Sequence, residues 1–150
     1  MKTLLLTRHA KSSWNDASLP DRDRPLAPRG ERDAATMGRR LSQRHVDPGL
    51  IMCSPAVRAF ATARIIARGL DYKRERITVE DRLCAASMDA LIEVIEELDD
   101  ALDCVMLVTT RSAAHLPITF AVRSPTCPPA PLRSSGLMPK GGAASATPSP

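Results

Sequence analysis

The feature that most constrains this chain is a regular alternation of short apolar runs with longer helical patterns over its first 108 residues. Four runs rich in Leu, Ile, Val and Met have the length of strands, and they cover residues 3–7, 49–54, 76–79 and 103–108. Three segments between them place apolar residues at helical spacing, at 28–44, 56–70 and 87–102. Buried strands that alternate with helices predict a mostly parallel sheet with helices on both faces. We therefore expect an α/β, doubly wound domain over residues 1–108.

Local signals mark the ends of these predicted helices. Ser87 can cap the start of the third helix, because its hydroxyl can accept a bond from a free backbone N–H. Pro28 suits the first turn of the first helix. Gly69 is placed to end the second helix, where a residue without a side chain is favoured.

The chain changes character after Val108. Eight of its 13 prolines fall in residues 109–150, which otherwise consist largely of Ser, Ala and Gly and contain no acidic residue. Such a segment buries too little apolar surface to offset the entropy lost on ordering, so we predict a disordered tail. The last part of the fold is then missing or disordered, which predicts an exposed strand edge.

Composition narrows the classes of partner. Lys and Arg number 21 and four of them follow residue 109, so residues 1–108 balance 17 basic against 17 acidic side chains. That balance, with an aromatic content of 3%, argues against nucleic acid as a partner. No apolar run approaches 18 residues and the first residues do not form a signal peptide, which predicts a cytoplasmic protein with no membrane partner. The four cysteines show no metal-ligand spacing, so we expect reduced and mostly buried thiols.

Arginines and a histidine follow two of the predicted strands. Arg8 and His9 come directly after the first strand, and Arg58 lies one turn into the helix after the second. Ligands of open parallel sheets bind beyond the carboxyl ends of the strands, where two guanidinium groups can hold a phosphoryl group. Nearby cations lower the pKa of an imidazole, and a neutral imidazole can attack phosphorus. An ordinary polar loop is the alternative reading of a lone histidine here.

Three segments of the chain resemble the histidine phosphatase superfamily, which has the phosphoglycerate-mutase-like fold. They read LLLTRHAKSSWND, RDRPLAPRGERDA and SPAVRAFATA, and within the superfamily they are most similar to the SixA-type phosphohistidine phosphatases. The resemblance covers about residues 2–108. It implies that His9 is the nucleophile that becomes phosphorylated and that Arg8 and Arg58 bind phosphate. It also implies phosphate-binding roles for Asn15 and Lys11, although a solvent-exposed charge explains Lys11 equally well.

The resemblance implies a phosphatase whose preferred substrate is phosphohistidine on a protein. It implies no metal and no cofactor, because arginines supply the positive charge. A phosphatase of small phosphate esters is one alternative. A catalytically impaired, phosphate-binding remnant of the family is another. Glu80 and Asp81 are the nearest candidates for a general acid, but solvated loop carboxylates explain both.

One part of the family pattern is absent. The family places Gly-His-Asn-Pro after the strand that matches residues 104–108, and its histidine stabilises charge on the transferring phosphoryl group. This chain reads Val-Thr-Thr-Arg at 108–111 instead, and His115 lies too far along to replace that histidine. The activity of this chain is therefore in doubt.

A shift of the reading frame near codon 108 explains the loss. Gly-His-Asn-Pro encoded as GGT CAC AAC CCG G reads Val-Thr-Thr-Arg one nucleotide later. In the same shifted frame, a family-like Ala-Asn-His-Leu gives the Pro-Ile-Thr-Phe of residues 117–120. A natural disordered tail is the alternative.

A cysteine phosphatase is excluded by spacing. Its loop needs five residues between cysteine and arginine, whereas four separate Cys53 from Arg58. Because Cys53 lies within an apolar strand, we expect it to be a buried, unreactive thiol.

Overall fold

A computed structural model describes residues 3–110 and shows a four-stranded parallel sheet with helices on both faces. The strands are β1 (Thr3–Arg8), β2 (Leu50–Cys53), β3 (Ile77–Val79) and β4 (Cys104–Thr109), and the helices are α1 (Pro28–Gln43), α2 (Val57–Gly69) and α3 (Met88–Glu96). Short 3-10 turns lie at Asp21–Asp23, Arg74–Arg76 and Asp81–Leu83. The strand order is β1-β4-β2-β3, and every neighbouring pair is parallel. The predicted doubly wound α/β architecture is therefore confirmed.

The central strand β4 divides the core into two layers. Met106 and Val108 pack with α1, α2 and the buried residues of β2 on one face. Val105 and Leu107 pack with α3 and Leu83 on the other face. This alternation along one strand is the pattern expected where helices cover both faces of a sheet.

Gly69 has a different role from the one its position predicts. It is the last residue of α2, but its φ is not positive, and the left-handed residue of this turn is Asp71. A Cβ on Gly69 would lie 2.8 Å from both the Cα and the carbonyl carbon of Gly38 in α1. Gly69 is therefore required for the close approach of two helices rather than for ending one.

The third helix is shorter than predicted. Its N-terminus is as expected, because the Ser87 hydroxyl accepts a hydrogen bond from the Ala90 N–H. The helix ends at Glu96 instead of residue 102. The Asp99 carboxylate accepts a hydrogen bond from the Ala101 N–H and so stabilises a turn where the apolar pattern predicted further helix.

The folded part of the chain extends slightly beyond the predicted domain boundary at residue 108. Thr109 belongs to the strand, Thr110 accepts a hydrogen bond from the Ala85 N–H at 2.7 Å, and both are buried. The predicted disorder of the rest of the tail concerns residues 111–150, which lie outside the described part of the chain.

Candidate phosphoryl-transfer site

The candidate site lies at the carboxyl edge of the sheet, where β4 separates β1 from β2. His9 follows β1, and its N–H donates a hydrogen bond to the Thr109 carbonyl at 3.0 Å. The next N–H, that of Ala10, donates to the hydroxyl of Thr62 in α2 at 3.0 Å. The Thr62 hydroxyl donates in turn to the Arg58 carbonyl at 2.7 Å. The loop that carries His9 is thus attached to both β4 and α2.

The hydrogen bonds of His9 define its tautomer. Its Nδ1 lies 2.7 Å from the Ala10 carbonyl oxygen, which can only accept, so Nδ1 carries a proton. The Nε of Arg58 donates to the His9 Nε2 at 3.2 Å, which requires a lone pair on Nε2. The imidazole is therefore neutral, with the Nε2 lone pair directed at Arg58.

Burial is the main cause that lowers the pKa of His9 below its ordinary value of 6.5. The hydrogen bond to the Ala10 carbonyl raises this pKa, but the positive charges of Arg58, Arg8 and Arg24 lower it further. The predicted depression of the pKa by nearby cations is confirmed. A pKa below 6.5 leaves the His9 imidazole neutral at pH 7.

Arg58 is one of two buried cations at the site. It is 6% exposed, and three of its groups are engaged: Nε with His9, Nη1 with the Asp21 carbonyl and Nη2 with the Asp21 carboxylate at 2.7 Å. A second arginine, Arg24, is 5% exposed and donates from Nη1 to the other oxygen of the same carboxylate at 2.8 Å. The two guanidinium groups therefore share a single carboxylate, and one of them, that of Arg58, contacts His9.

The sequence reasoning assigned no role to Asp21 and Arg24. They lie in a loop, more than ten residues after His9 and more than thirty before Arg58, so no strand or helix periodicity relates them to the site. The signal that could have found Arg24 is its place in the second segment of the resemblance, RDRPLAPRGERDA, whereas Asp21 lies immediately before that segment. The Arg24 guanidinium is fixed by the Ser12 hydroxyl and the Ser13 carbonyl, and it stacks 3.2 Å from the centre of the Trp14 ring.

The remaining predicted residues lie around this core. Arg8, at the end of β1, is exposed and contributes to the positive field on His9. Lys11 and Asn15 are also exposed. Within residues 3–110, the Asn15 backbone N–H bonds to the Ser13 hydroxyl, and neither side chain is brought against His9. Their roles in binding phosphate remain predictions.

Two other predicted features have clear structural roles. Cys53 is fully buried in β2, and burial raises its pKa to about 11, so it is an unreactive thiol as predicted. The expectation of mostly buried cysteines is wrong for Cys84, which is exposed. The Glu80 carboxylate bonds to Arg82, which also pairs with Glu97, so this carboxylate is engaged in an ion-pair network.

The resemblance predicts where the family's second histidine would lie in this fold. Aligning the family's Gly-His-Asn-Pro with residues 108–111 places its histidine at Thr109. Thr109 is 6% exposed and its carbonyl accepts the His9 N–H. The position that aligns with the family's histidine therefore adjoins His9 through the backbone.

Residues 3–110 contain no group of His, Cys, Asp or Glu side chains able to hold a metal ion. None of the helices in that range is long and apolar enough to cross a membrane.

The fold and this site together define an α/β protein of the phosphoglycerate-mutase-like class. A sequence profile of the histidine phosphatase superfamily (branch 1) matches residues 4–101. The chain therefore belongs to the histidine phosphatase superfamily. This finding confirms the resemblance seen in the sequence.

Individual relatives agree with that assignment. An uncharacterized chloroplastic protein of Arabidopsis thaliana, At3g52155, is 44% identical over 70 residues, which are 47% of this chain and 32% of the relative. Uncharacterized protein Rv1276c of Mycobacterium tuberculosis is 34% identical over 115 residues, 77% of this chain and 66% of the relative. Phosphoserine phosphatase 1 of Hydrogenobacter thermophilus is 37% identical over 87 residues, 55% of this chain and 38% of the relative. The chain thus spans between 32% and 66% of the length of these relatives.

Solved structures show the same fold. A protein assigned as the phosphohistidine phosphatase SixA of Agrobacterium tumefaciens has a TM-score of 0.68 and 26% identity, covering 75% of this chain and 71% of its own. A protein histidine phosphatase SixA in complex with tungstate has a TM-score of 0.63 and 20% identity, covering 77% and 70%. The resemblance to SixA structures supports a SixA-like domain within the superfamily.

Proposed function

We propose that this protein is a phosphatase that acts through a phosphohistidine intermediate on His9, and that its preferred substrate is phosphohistidine on a protein. The observation that carries the proposal is the neutral imidazole of His9. Its Nε2 atom lies 3.2 Å from the Nε atom of the buried Arg58. A lone pair beside a buried cation suits attack on a phosphorus atom whose oxygens the cation binds.

The proposed reaction has two steps. In the first, Nε2 of His9 attacks phosphorus, the P–N bond of the substrate breaks, and the leaving imidazole nitrogen takes a proton from solvent. In the second, water attacks the phosphohistidine, so that inorganic phosphate leaves and His9 returns to its neutral form. Arg8 and Arg58 hold the phosphoryl oxygens in both steps and stabilise the charge that develops on them.

The carboxylates near this edge of the sheet favour a phosphoramidate as substrate. Glu80 is bonded to Arg82, and its pKa and that of Asp21 are lowered by the arginines that bond to them. A carboxyl group with a lowered pKa is ionised at pH 7 and is a poor proton donor. A P–N bond needs less help from an acid than an alkyl phosphate ester does, so a site of this kind suits phosphohistidine.

The test is hydrolysis of a phosphohistidine peptide, compared with a panel of sugar phosphates and phosphoserine. The proposal expects faster turnover of the peptide and its loss in His9→Asn. His45→Asn is the matched control, because His45 is exposed at the end of α1 and its φ of 55° is tolerated by asparagine. Clear preference for the esters, or an active His9→Asn variant, would contradict the proposal.

Small phosphate esters are the second candidate substrate. The similarity to a protein named phosphoserine phosphatase 1 supports this alternative. The same substrate panel separates the two candidates, since an ester phosphatase would turn over phosphoserine or a sugar phosphate faster than the peptide.

We further propose that the chain as written is severely impaired, because Thr109 stands where the family has its second pocket histidine. Loss of one preorganised group that stabilises charge costs about 10²- to 10³-fold in rate. A frameshift near codon 108 accounts for that replacement and for the Pro-rich tail. The nucleotide sequence around this codon tests the frameshift directly: a frame that encodes Gly-His-Asn-Pro one nucleotide away supports it, and any other sequence in that frame refutes it. A non-catalytic, phosphate-binding remnant is the limiting case of this impairment.

A further inference from the structure

The Asp21 carboxylate lies between two buried arginines at the candidate site. One of its oxygens accepts from Arg24 Nη1 at 2.8 Å and the other accepts from Arg58 Nη2 at 2.7 Å. Both arginines are at least nine-tenths buried, whereas the Asp21 side chain is 69% exposed. The cations are therefore part of the protein interior, and the anion that binds them lies on the solvent side.

This arrangement is the one that a phosphoryl group would require. A carboxylate and a phosphoryl group each present two oxygens, at similar separation, that guanidinium N–H groups can bind. The nucleophile adjoins the same place, because Arg58 donates from Nε to His9 and from Nη2 to Asp21. A phosphoryl group attacked by His9 Nε2 therefore competes with the Asp21 carboxylate for Arg58.

We infer that Arg24 is a further phosphoryl-binding residue, and that the Asp21 carboxylate holds the position of two phosphoryl oxygens between Arg24 and Arg58 until a phosphoryl group displaces it. The inference rests on the proposed function in that it takes the incoming ligand to be a phosphoryl group. Two buried cations need a counter-charge, and Asp21 supplies it. Its exposure leaves the carboxylate a path into solvent when a dianion arrives.

Binding of tungstate, a stable phosphate-like dianion, tests the inference without any need for turnover. Calorimetric titration compares the wild-type chain with Asp21→Asn, in which the competing charge is removed and the shape is kept. We expect about tenfold tighter binding, because a like charge a few ångströms away weakens the binding of an anion at a protein surface by at least that factor. Asp23→Asn is the matched control, since Asp23 lies exposed in the same turn and bonds to neither arginine within the described residues.

The role of Arg24 has an independent readout. Trp14 is the single tryptophan of the chain, and its ring stacks on the Arg24 guanidinium. Tungstate that binds Arg24 should change the fluorescence of Trp14 with the same dissociation constant as calorimetry gives. Binding seen by calorimetry without a change in fluorescence would overturn the assignment of Arg24.

The outcomes separate this inference from the proposed function. If the wild type binds tungstate and Asp21→Asn binds it no more tightly, or if Asp23→Asn gains as much, the inference alone is wrong. If neither the wild type nor Asp21→Asn binds tungstate, the phosphate site itself is wrong, and the proposed function fails with it.

Discussion

Replacing Thr62 by valine removes one hydroxyl that joins two parts of the candidate site. This hydroxyl accepts from the Ala10 N–H at 3.0 Å and donates to the Arg58 carbonyl at 2.7 Å, and Thr62 is 2% exposed. Valine has nearly the same shape, so the change leaves the Ala10 N–H without its partner and creates no cavity. A polar group that loses its partner on burial costs about 1–3 kcal/mol, and Ala10 is only half-buried. We therefore expect a loss of about 1–2 kcal/mol in the free energy of unfolding.

The same substitution should slow the reaction. The Ala10 carbonyl accepts the Nδ1–H of His9, so a looser Ala10 misorients the His9 imidazole, the proposed nucleophile. Displacements of about 1 Å near reacting atoms cost up to about 10²-fold, and we expect kcat for a phosphohistidine peptide to fall at least about tenfold.

Thr36→Val provides the matched control for both measurements. It makes the same chemical change in α1, where the threonine hydroxyl donates to the carbonyl four residues earlier at the surface. Its unfolding free energy, measured by urea titration, should change by less than about 0.5 kcal/mol. The reasoning is refuted if Thr62→Val is as stable and as active as Thr36→Val.

Three further predictions concern His9, the interface between α1 and α2, and position 109. Burial and nearby cations lower the pKa of His9, so kcat/KM should fall with decreasing pH only below pH 6.5. Removing one of these charges in Arg8→Met should move both this fall and the NMR titration of His9 to higher pH. An unmoved titration would contradict the electrostatic account. Gly69→Ala should lower the free energy of unfolding measured by urea titration. Overpacking against the backbone of Gly38 costs about 1–3 kcal/mol, whereas the higher helix propensity of alanine regains only about 1 kcal/mol. A stabilised variant would refute the close contact between the two helices. Thr109→His should raise the rate on a phosphohistidine peptide by about tenfold or more, and an unchanged rate would show that a histidine at this position is not sufficient.

The sequence predicted the part of the site that strand ends determine. His9 and Arg58 follow the first two apolar runs of the chain, so the rule for open parallel sheets brings both to one edge. In the structure, Arg58 Nε lies 3.2 Å from His9 Nε2. Asp21 and Arg24 could not be found in this way, because a loop has no periodicity and its path over the sheet depends on tertiary contacts.

The wrong predictions for the end of α3 and for Gly69 have similar causes. The apolar spacing of α3 continues past Glu96, but the Asp99 side chain stabilises a turn there. Gly69 was interpreted from its place at a helix end, whereas its function depends on Gly38, a residue thirty-one positions earlier in another helix. Local sequence patterns do not show where a side chain hydrogen-bonds to the backbone and ends a helix, or which distant residues come into contact.

The most direct test of the account compares three proteins in hydrolysis of the same phosphohistidine peptide. They are the 150-residue chain, a form whose reading frame is restored through Gly-His-Asn-Pro, and the restored form with His9→Ala. The account predicts that restoration raises the rate by about 10²- to 10³-fold, the contribution of one charge-stabilising group, and that His9→Ala abolishes it. Equal rates for the first two proteins would contradict the proposed impairment, and activity that survives His9→Ala would contradict the central claim that His9 is the nucleophile.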